Sequence, residues 1–110
     1  MFTNHYFDNN MQLQLLDVET TNIWEVKYKH PLCWTYAHHP FITVFNNQLY
    51  AIWSNGKIHE DEPGQRILIA ESSDFHTWKN HAICLATSSK DLAFTAAGFH
   101  QYMEQIYFQQ

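Results

Sequence analysis

Two asparagines at positions 46 and 47 separate two apolar runs, FITVF at 41–45 and QLYAIWS at 48–54. Asparagine adopts positive φ more readily than any residue except glycine, so this pair predicts the two-residue turn of a β-hairpin. Both runs are apolar almost without interruption, which is typical of strands that are covered on both faces. Such a hairpin is not stable alone in water, so other parts of the protein must cover it.

Further strands are predicted along the rest of the chain. RILIAES at 66–72 and a stretch ending in HAICLA give a third and a fourth strand, and the segment from Leu92 onwards repeats the scheme of strand, turn and strand. Gly, Pro and strand-forming residues interrupt every candidate helix. The unit from Trp34 to Ala86 has roughly the ~40 to 50 residues of a propeller blade. We therefore predict an all-β fold, a partial β-propeller with about one complete four-stranded antiparallel blade plus the start of the next.

The first 21 residues are polar and rich in Asn and Gln, and they predict a lead-in segment with at most one short strand. A propeller fragment is predicted over residues 22–110. It begins with NIWEVKYK at 22–29, whose alternation of apolar and polar residues predicts a half-buried strand. Because the sequence stops inside an apolar run, we expect it to be the N-terminal portion of a longer chain that carries the remaining propeller blades.

Charge and composition restrict the partners. Six Lys and Arg against eleven Asp and Glu give a formal charge of -5, which argues against nucleic-acid binding. No run reaches the ~18 apolar residues of a membrane helix, and the opening lacks a signal peptide. The chain is therefore expected to be cytoplasmic as written, or secreted or periplasmic if the N-terminus is incomplete. Cys33 and Cys84 lack a CxxC spacing, and buried thiols without a disulfide are favoured over one bridge.

The segment SSDFHTW at 72–78 resembles the Asp box of sialidase-like (BNR-repeat) β-propellers, S-x-D-x-G-x-x-W, although it is one residue shorter and lacks the glycine. In that family the box forms the turn between the third and fourth strands of a blade. Ser72 and Asp74 are expected to accept backbone N–H groups within the turn, and Trp78 to fill the hydrophobic seam. The resemblance implies a structural role for this motif rather than a catalytic one.

The stretch from Tyr36 to Gly56 is similar in layout to the first sialidase blade, in which an Arg-Ile-Pro motif opens an inner strand and supplies a carboxylate-binding arginine. His38, His39 and Pro40 take that place here. A neutral imidazole cannot form the two-pronged carboxylate clamp of a guanidinium. His38 is therefore expected to bind a sugar hydroxyl or a uronic carboxylate, and His39 to do the same or to act as a base in a polysaccharide lyase.

The resemblance also implies a general acid/base on the loop before the third strand, roughly eleven residues before the Asp box. Asp61 lies eleven residues before Ser72 and is the catalytic candidate. Its neighbours Glu60 and Glu62 are carboxylates too, and three such groups together are expected to raise one another's pKa. Glu60 is assigned to substrate binding. A solvated charged loop is the alternative.

The remaining candidates are aromatic rings and metal ligands. Tyr36 and Trp53 are assigned to stacking on a sugar ring, with packing between blades as the alternative. Eight histidines raise the question of a metal site. Adjacent strand residues point to opposite faces, so His38 and His39 are not expected to share an ion. One of them could ligate an ion with His59, Glu60 and Asp61 across the hairpin, but no regular ligand spacing supports this. No metal and no other cofactor is predicted.

Three functions remain open. The first is the N-terminal portion of a sialidase-like glycosidase, with a carbohydrate substrate of unknown identity, inactive without the remaining blades because a glycosidase needs two groups across the scissile bond. The second is a non-catalytic glycan-binding propeller, or a polysaccharide lyase. The third is a bare fragment whose only property is strand pairing.

Overall fold

The computed structural model describes residues 17–26, 30, 32–102 and 104–110. Six strands follow one another along the chain: β1 Tyr36–Phe45, β2 Gln48–Gly56, β3 Arg66–Ser72, β4 Lys79–Leu85, β5 Gly98–Tyr102 and β6 Gln105–Gln109. The first four form one antiparallel sheet in the order β1-β2-β3-β4, and the last two form a separate hairpin. The predicted all-β fold, one four-stranded antiparallel blade plus the start of the next, is confirmed.

The turn between β1 and β2 has the predicted form. Asn46 has a φ of 49° and Asn47 a φ of 59°, so both occupy the left-handed region that a type I′ turn requires. Phe45 and Gln48 are directly paired on either side of them. The two asparagines therefore set the register of the hairpin.

The sheet is covered on both faces, as the continuous apolar runs predict. The first face carries Ala51 and Trp53 from β2 and Leu68 and Ala70 from β3, all buried, and Ile23, Trp24 and Trp78 pack on them. The second face carries Ile52 and Ile67, which contact Phe94, Phe99 and Phe108 from the region of the second hairpin. Each fully buried side chain of this size contributes about 1.5–3 kcal/mol of hydrophobic stabilisation.

The segment before β1 corrects one prediction. Residues 22–26 contain no strand, although their alternation predicts one. Ile23 and Trp24 lie instead on the first face as irregular cover, where Trp24 stands 5.7 Å from Trp53 between ring centroids. The alternation of apolar and polar residues reflects the partial burial of two side chains. Burial of this kind does not require hydrogen bonds to a neighbouring strand. Residues 27–29, and the short strand expected within 1–16, lie outside the described residues.

The two ends of the sheet differ in their connections. The loop end contains the start of β1, the end of β2, the start of β3 and residues 57–65 between β2 and β3. The turn end contains residues 46–47 and residues 73–78, which join β3 to β4. In the described part of the chain no helix has the length and apolar character to cross a membrane.

Candidate functional site

A β-bulge near the start of β1 changes the direction of two histidines. The register of β1 against β2 shifts between His38 and Phe41, and His39 has a φ of 52°. Pro40 lies within the same interruption, where a residue without an N–H costs no ladder hydrogen bond. The imidazole rings of His38 and His39 lie 3.5 Å apart between centroids, at 84° to each other. The expectation that the pair would point to opposite faces is wrong, because the bulge breaks the alternation of the strand.

Both histidines approach one carboxylate in the loop between β2 and β3. The Nε2 atom of His38 lies 3.0 Å from Oε1 of Glu60, and Nε2 of His39 lies 3.8 Å from the same oxygen. The His39 Nδ1 atom is buried and has no hydrogen-bond partner among the described residues. All three side chains keep between a third and a half of their surface exposed. The loop end therefore brings together two imidazoles and a carboxylate that solvent or a ligand can reach.

Tyr36 adds a phenol and a ring face to this group. Its hydroxyl lies 3.4 Å from Nδ1 of His38, and the two rings are stacked at 5.6 Å and 26°. Desolvation, followed by the negative charges of Glu60 and Asp61, raises the pKa of Tyr36 above its ordinary value, so the hydroxyl keeps its proton at neutral pH. We call the four residues Tyr36, His38, His39 and Glu60 the histidine cluster.

The three consecutive carboxylates of the loop have three different surroundings. Asp61 has a φ of 52°, and its Oδ1 accepts hydrogen bonds from the Thr95 hydroxyl at 3.2 Å and the Gln65 side-chain amide at 3.5 Å. Glu62 accepts the backbone N–H groups of His59 and Ile58, at 3.0 and 3.1 Å. Those bonds lower the pKa of Glu62, so the expectation of a raised pKa is wrong for this carboxylate.

Two residues that the sequence argument passed over hold the loop end together. Gln65 is 1% exposed, and its side chain donates to the carbonyl of Phe94 at 2.8 Å and accepts from the backbone N–H of Asp61 at 2.9 Å. It thereby connects the loop to the strand-free segment before β5. Polar residues between a loop glycine and a strand are ordinarily exposed, so the sequence carries only a weak signal that Gln65 is buried.

Arg66 is the second. Its guanidinium lies 3.9 Å from the ring centroid of Trp34, donates from Nε to Oδ1 of Asn55 at 2.9 Å, and donates from Nη2 to the carbonyl of Leu32 at 2.6 Å. Burial lowers its pKa, although the guanidinium remains charged at neutral pH. Arg66 is a cation at the same end of the sheet as the histidine cluster, but it is only 5% exposed. Its contacts anchor the segment before β1.

Trp53 lies apart from the histidine cluster. It is 4% exposed and belongs to the core on the first face, within 6.3 Å of His81 and 5.7 Å of Trp24 between ring centroids. Because other side chains already cover its ring, Trp53 packs in the core instead of stacking on a sugar, as the alternative interpretation of this residue expects. Tyr36, which is half-buried, keeps the exposed surface that such a role requires.

The SSDFHTW motif lies at the turn end, between β3 and β4. Oδ1 of Asp74 accepts the backbone N–H groups of Thr77 at 2.7 Å and His76 at 2.8 Å, and the Ser72 hydroxyl at 3.1 Å. The Thr77 hydroxyl donates to its other oxygen. These bonds hold the pKa of Asp74 far below its ordinary value. Trp78 packs on the first face of the sheet, so Ser72, Asp74 and Trp78 are all engaged in the turn or the core.

The histidine cluster can perform two kinds of chemistry. Its imidazole nitrogens, phenol and carboxylate are donors and acceptors suited to sugar hydroxyls, and the nearby Asp61 adds a carboxylate for proton transfer. The ligand atoms of His38, His39 and Glu60 also lie within 4.8 Å of one another, close enough to meet at one metal ion. Cys33 and Cys84, both half-buried, do not form a disulfide.

Comparison with known proteins places the fold in a family. A family model described as BT_1020-like, N-terminal beta propeller matches residues 10–108, beginning inside the predicted lead-in. No curated protein and no solved structure matches the chain. The match covers nearly all of the sequence and agrees with the antiparallel four-stranded sheet. The chain therefore belongs to the family of BT_1020-like N-terminal β-propeller domains.

Proposed function

We propose that this chain is the front part of a sialidase-like glycoside hydrolase and that its loop end contributes to the glycan-binding surface. The observation that carries the proposal is the convergence of the histidine cluster at one end of the blade, beside Asp61. Two imidazoles, a carboxylate and a phenol are exposed together there. Sugars bind through hydrogen bonds to their hydroxyls and through contact of their apolar ring face with an aromatic side chain.

In this proposal Asp61 is the general acid/base. Its carboxylate is exposed, and its position is fixed by the hydroxyl of Thr95 and the amide of Gln65, which is itself buried. A proton-transfer group needs such positioning, because it must lie within hydrogen-bond reach of the glycosidic oxygen. His39, at the same end of the blade, is the second candidate for moving a proton, with His38, Tyr36 and Glu60 binding the sugar.

A glycosidase needs a second group on the far side of the scissile bond. We place that group in the remaining blades of the parent chain, so the 110 residues alone are expected to be inactive.

Exposed apolar side chains on the first face of the sheet favour the presence of further blades. Ile42 and Val44 on β1 and Ile83 on β4 point to this face by their pairing with Ala51, Leu49 and Leu68, and they are about half exposed. Another sheet packed there would cover them.

The proposal is tested on the protein encoded by the complete reading frame, assayed on labelled glycosides and uronic-acid polymers. Asp61→Asn should lower turnover by about 10²–10⁴-fold, the usual contribution of a general acid/base, while retention on the substrate polymer is kept. Asp91→Asn, at an exposed aspartate between β4 and β5, is the matched control and should leave turnover unchanged.

Other outcomes separate the alternatives. Retention on a glycan without turnover, lost in Tyr36→Ala but kept in Asp61→Asn, would replace the hydrolase with a binding module. Unsaturated products would replace hydrolysis with a lyase reaction. Neither turnover nor retention on any polymer would overturn the proposal.

A further inference from the structure

We propose that His38, His39 and Glu60 bind a divalent transition-metal ion, for which Zn²⁺ is the representative. Their ligand atoms lie within 4.8 Å of one another, and both Nε2 atoms approach the same Glu60 oxygen, at 3.0 and 3.8 Å. The ligand atoms of a tetrahedral zinc site, each ~2.0–2.1 Å from the ion, lie roughly 3.3 Å from one another. Both distances to Glu60 are therefore within about half an ångström of this value. The two imidazole nitrogens, which lie at most 4.8 Å apart, close on each other by up to ~1.5 Å when an ion binds.

The backbone is shaped to make this arrangement. In a regular strand His38 and His39 would lie on opposite faces, but the bulge turns both rings toward the β2–β3 loop. His39 holds a φ of 52°, a conformation that only a few per cent of non-glycine residues adopt, although histidine is enriched there together with Asn and Asp. Strain of this kind is characteristic of ligand-binding positions, where the surrounding structure maintains it.

The tautomers of the two histidines are compatible with metal binding. When the proton of neutral His38 is on Nδ1, it can be donated to the Tyr36 hydroxyl oxygen 3.4 Å away, which leaves the Nε2 lone pair directed at the site. A second-shell bond of this type orients most metal-bound histidines. In His39 it is likewise Nε2 that approaches the Glu60 oxygen, at 3.8 Å, so its ligand nitrogen is the same as that of His38.

The neighbouring acidic groups explain why only one carboxylate belongs to the site. Asp61 is hydrogen-bonded to Thr95 and Gln65, and Glu62 accepts two backbone N–H groups of the loop. Of the three carboxylates in the described loop, Glu60 is the one that faces the imidazoles. Two imidazoles and one carboxylate suit Zn²⁺ and its transition-metal neighbours rather than Ca²⁺ or Mg²⁺, which prefer oxygen ligands. Three protein ligands leave a tetrahedral ion one open position for water or another oxygen.

This site uses three side chains that the proposed function assigns to the sugar, and its test is kept separate from the glycan chemistry because it uses the ion without any sugar. Metal-free protein of the full chain is titrated with Zn²⁺ by calorimetry and with Co²⁺ by visible absorption, which reports tetrahedral coordination. One ion per chain is expected. Loss of a second-shell partner weakens metal binding by about 10–100-fold, so His38→Ala, His39→Ala and Glu60→Gln should each weaken it by ~100-fold or more.

His76→Ala is the matched control, since His76 also pairs with a carboxylate, that of Glu19 at 2.8 Å, but at the turn end. Its Zn²⁺ affinity should equal that of the unchanged protein. Glu60→Gln decides the matter if a histidine variant fails to fold, because Glu60 is exposed and lies outside the core. The proposal is overturned if the unchanged protein binds no stoichiometric ion. It is also overturned if Glu60→Gln binds Zn²⁺ as tightly as the unchanged protein, or if His76→Ala weakens Zn²⁺ binding.

Discussion

The two ends of the blade both present carboxylates in a tight connection, yet they use them differently. At the turn end Asp74 accepts four hydrogen bonds from its own turn, and no lone pair of its Oδ1 is left for a ligand. At the loop end Glu60 faces two partly exposed imidazoles, one of which carries an orphaned nitrogen on a strained backbone. A satisfied carboxylate stabilises the fold, whereas an incompletely satisfied one is available for binding.

The largest expected effect concerns the turn end. Trp78→Ala removes an indole that packs on Ala51, Trp53, Leu68 and Ala70, and it should lower the free energy of unfolding by about 3 kcal/mol, the lower limit for a truncated Trp because this one is half-buried. Urea unfolding of the chain measures it. Phe75→Ala in the same turn, at a side chain 53% exposed, should cost much less. Equal losses would mean that the turn end is not anchored in the core.

The next effect depends on pH. The pKa of Asp74 is lowered in the folded protein, so its ionised form stabilises the fold at pH values above the ordinary aspartate pKa of about 4. That stabilisation is lost as the pH falls from there toward the lower folded-state value. Asp74→Asn should therefore be less stable than the unchanged chain at pH 7, and the gap should narrow progressively below pH ~4.

Thermal unfolding of both proteins across this range measures the gap. His76 lies next to Asp74: its backbone N–H donates to Asp74, while its Nδ1 pairs with Glu19. His76→Ala keeps the backbone N–H and serves as the control. A gap that did not change with pH would show that the turn end does not need the charge of Asp74.

Sequence reasoning predicted the fold well because its signals were local. Asn46 and Asn47 predicted a turn that backbone sterics allow few other residues to make, and the apolar runs on either side predicted a sheet buried on both faces. The alternation at 22–26 was misleading, because sheltering of Ile23 and Trp24 by tertiary packing produces the same pattern as a strand.

The candidate site was predicted only in part. The residues of the loop end were identified, but the sequence placed Asp61 at the centre, whereas Glu60 is the carboxylate that faces the histidines. Which of three adjacent carboxylates turns toward a site depends on backbone angles such as the φ of 52° at Asp61, and on distant partners such as Thr95. A bulge at His39 is equally invisible to a rule of strict alternation.

The smallest effect tests whether the loop end is strained for binding. His39→Gly removes a side chain from a φ of 52°. An L-residue there costs about 1–2 kcal/mol, and the greater freedom of glycine in the unfolded chain offsets about 0.5–1 kcal/mol of the relief. The variant should therefore be roughly 0.5 kcal/mol more stable in urea unfolding without metal. Asn46→Gly, at a similar φ but from a residue that tolerates it, is the control and should change less. If His39→Gly were instead less stable, the ring contacts of His39 would outweigh its backbone cost. The loop end would then be a stabilising structure of the same kind as the turn end, and the contrast between the two ends would fail.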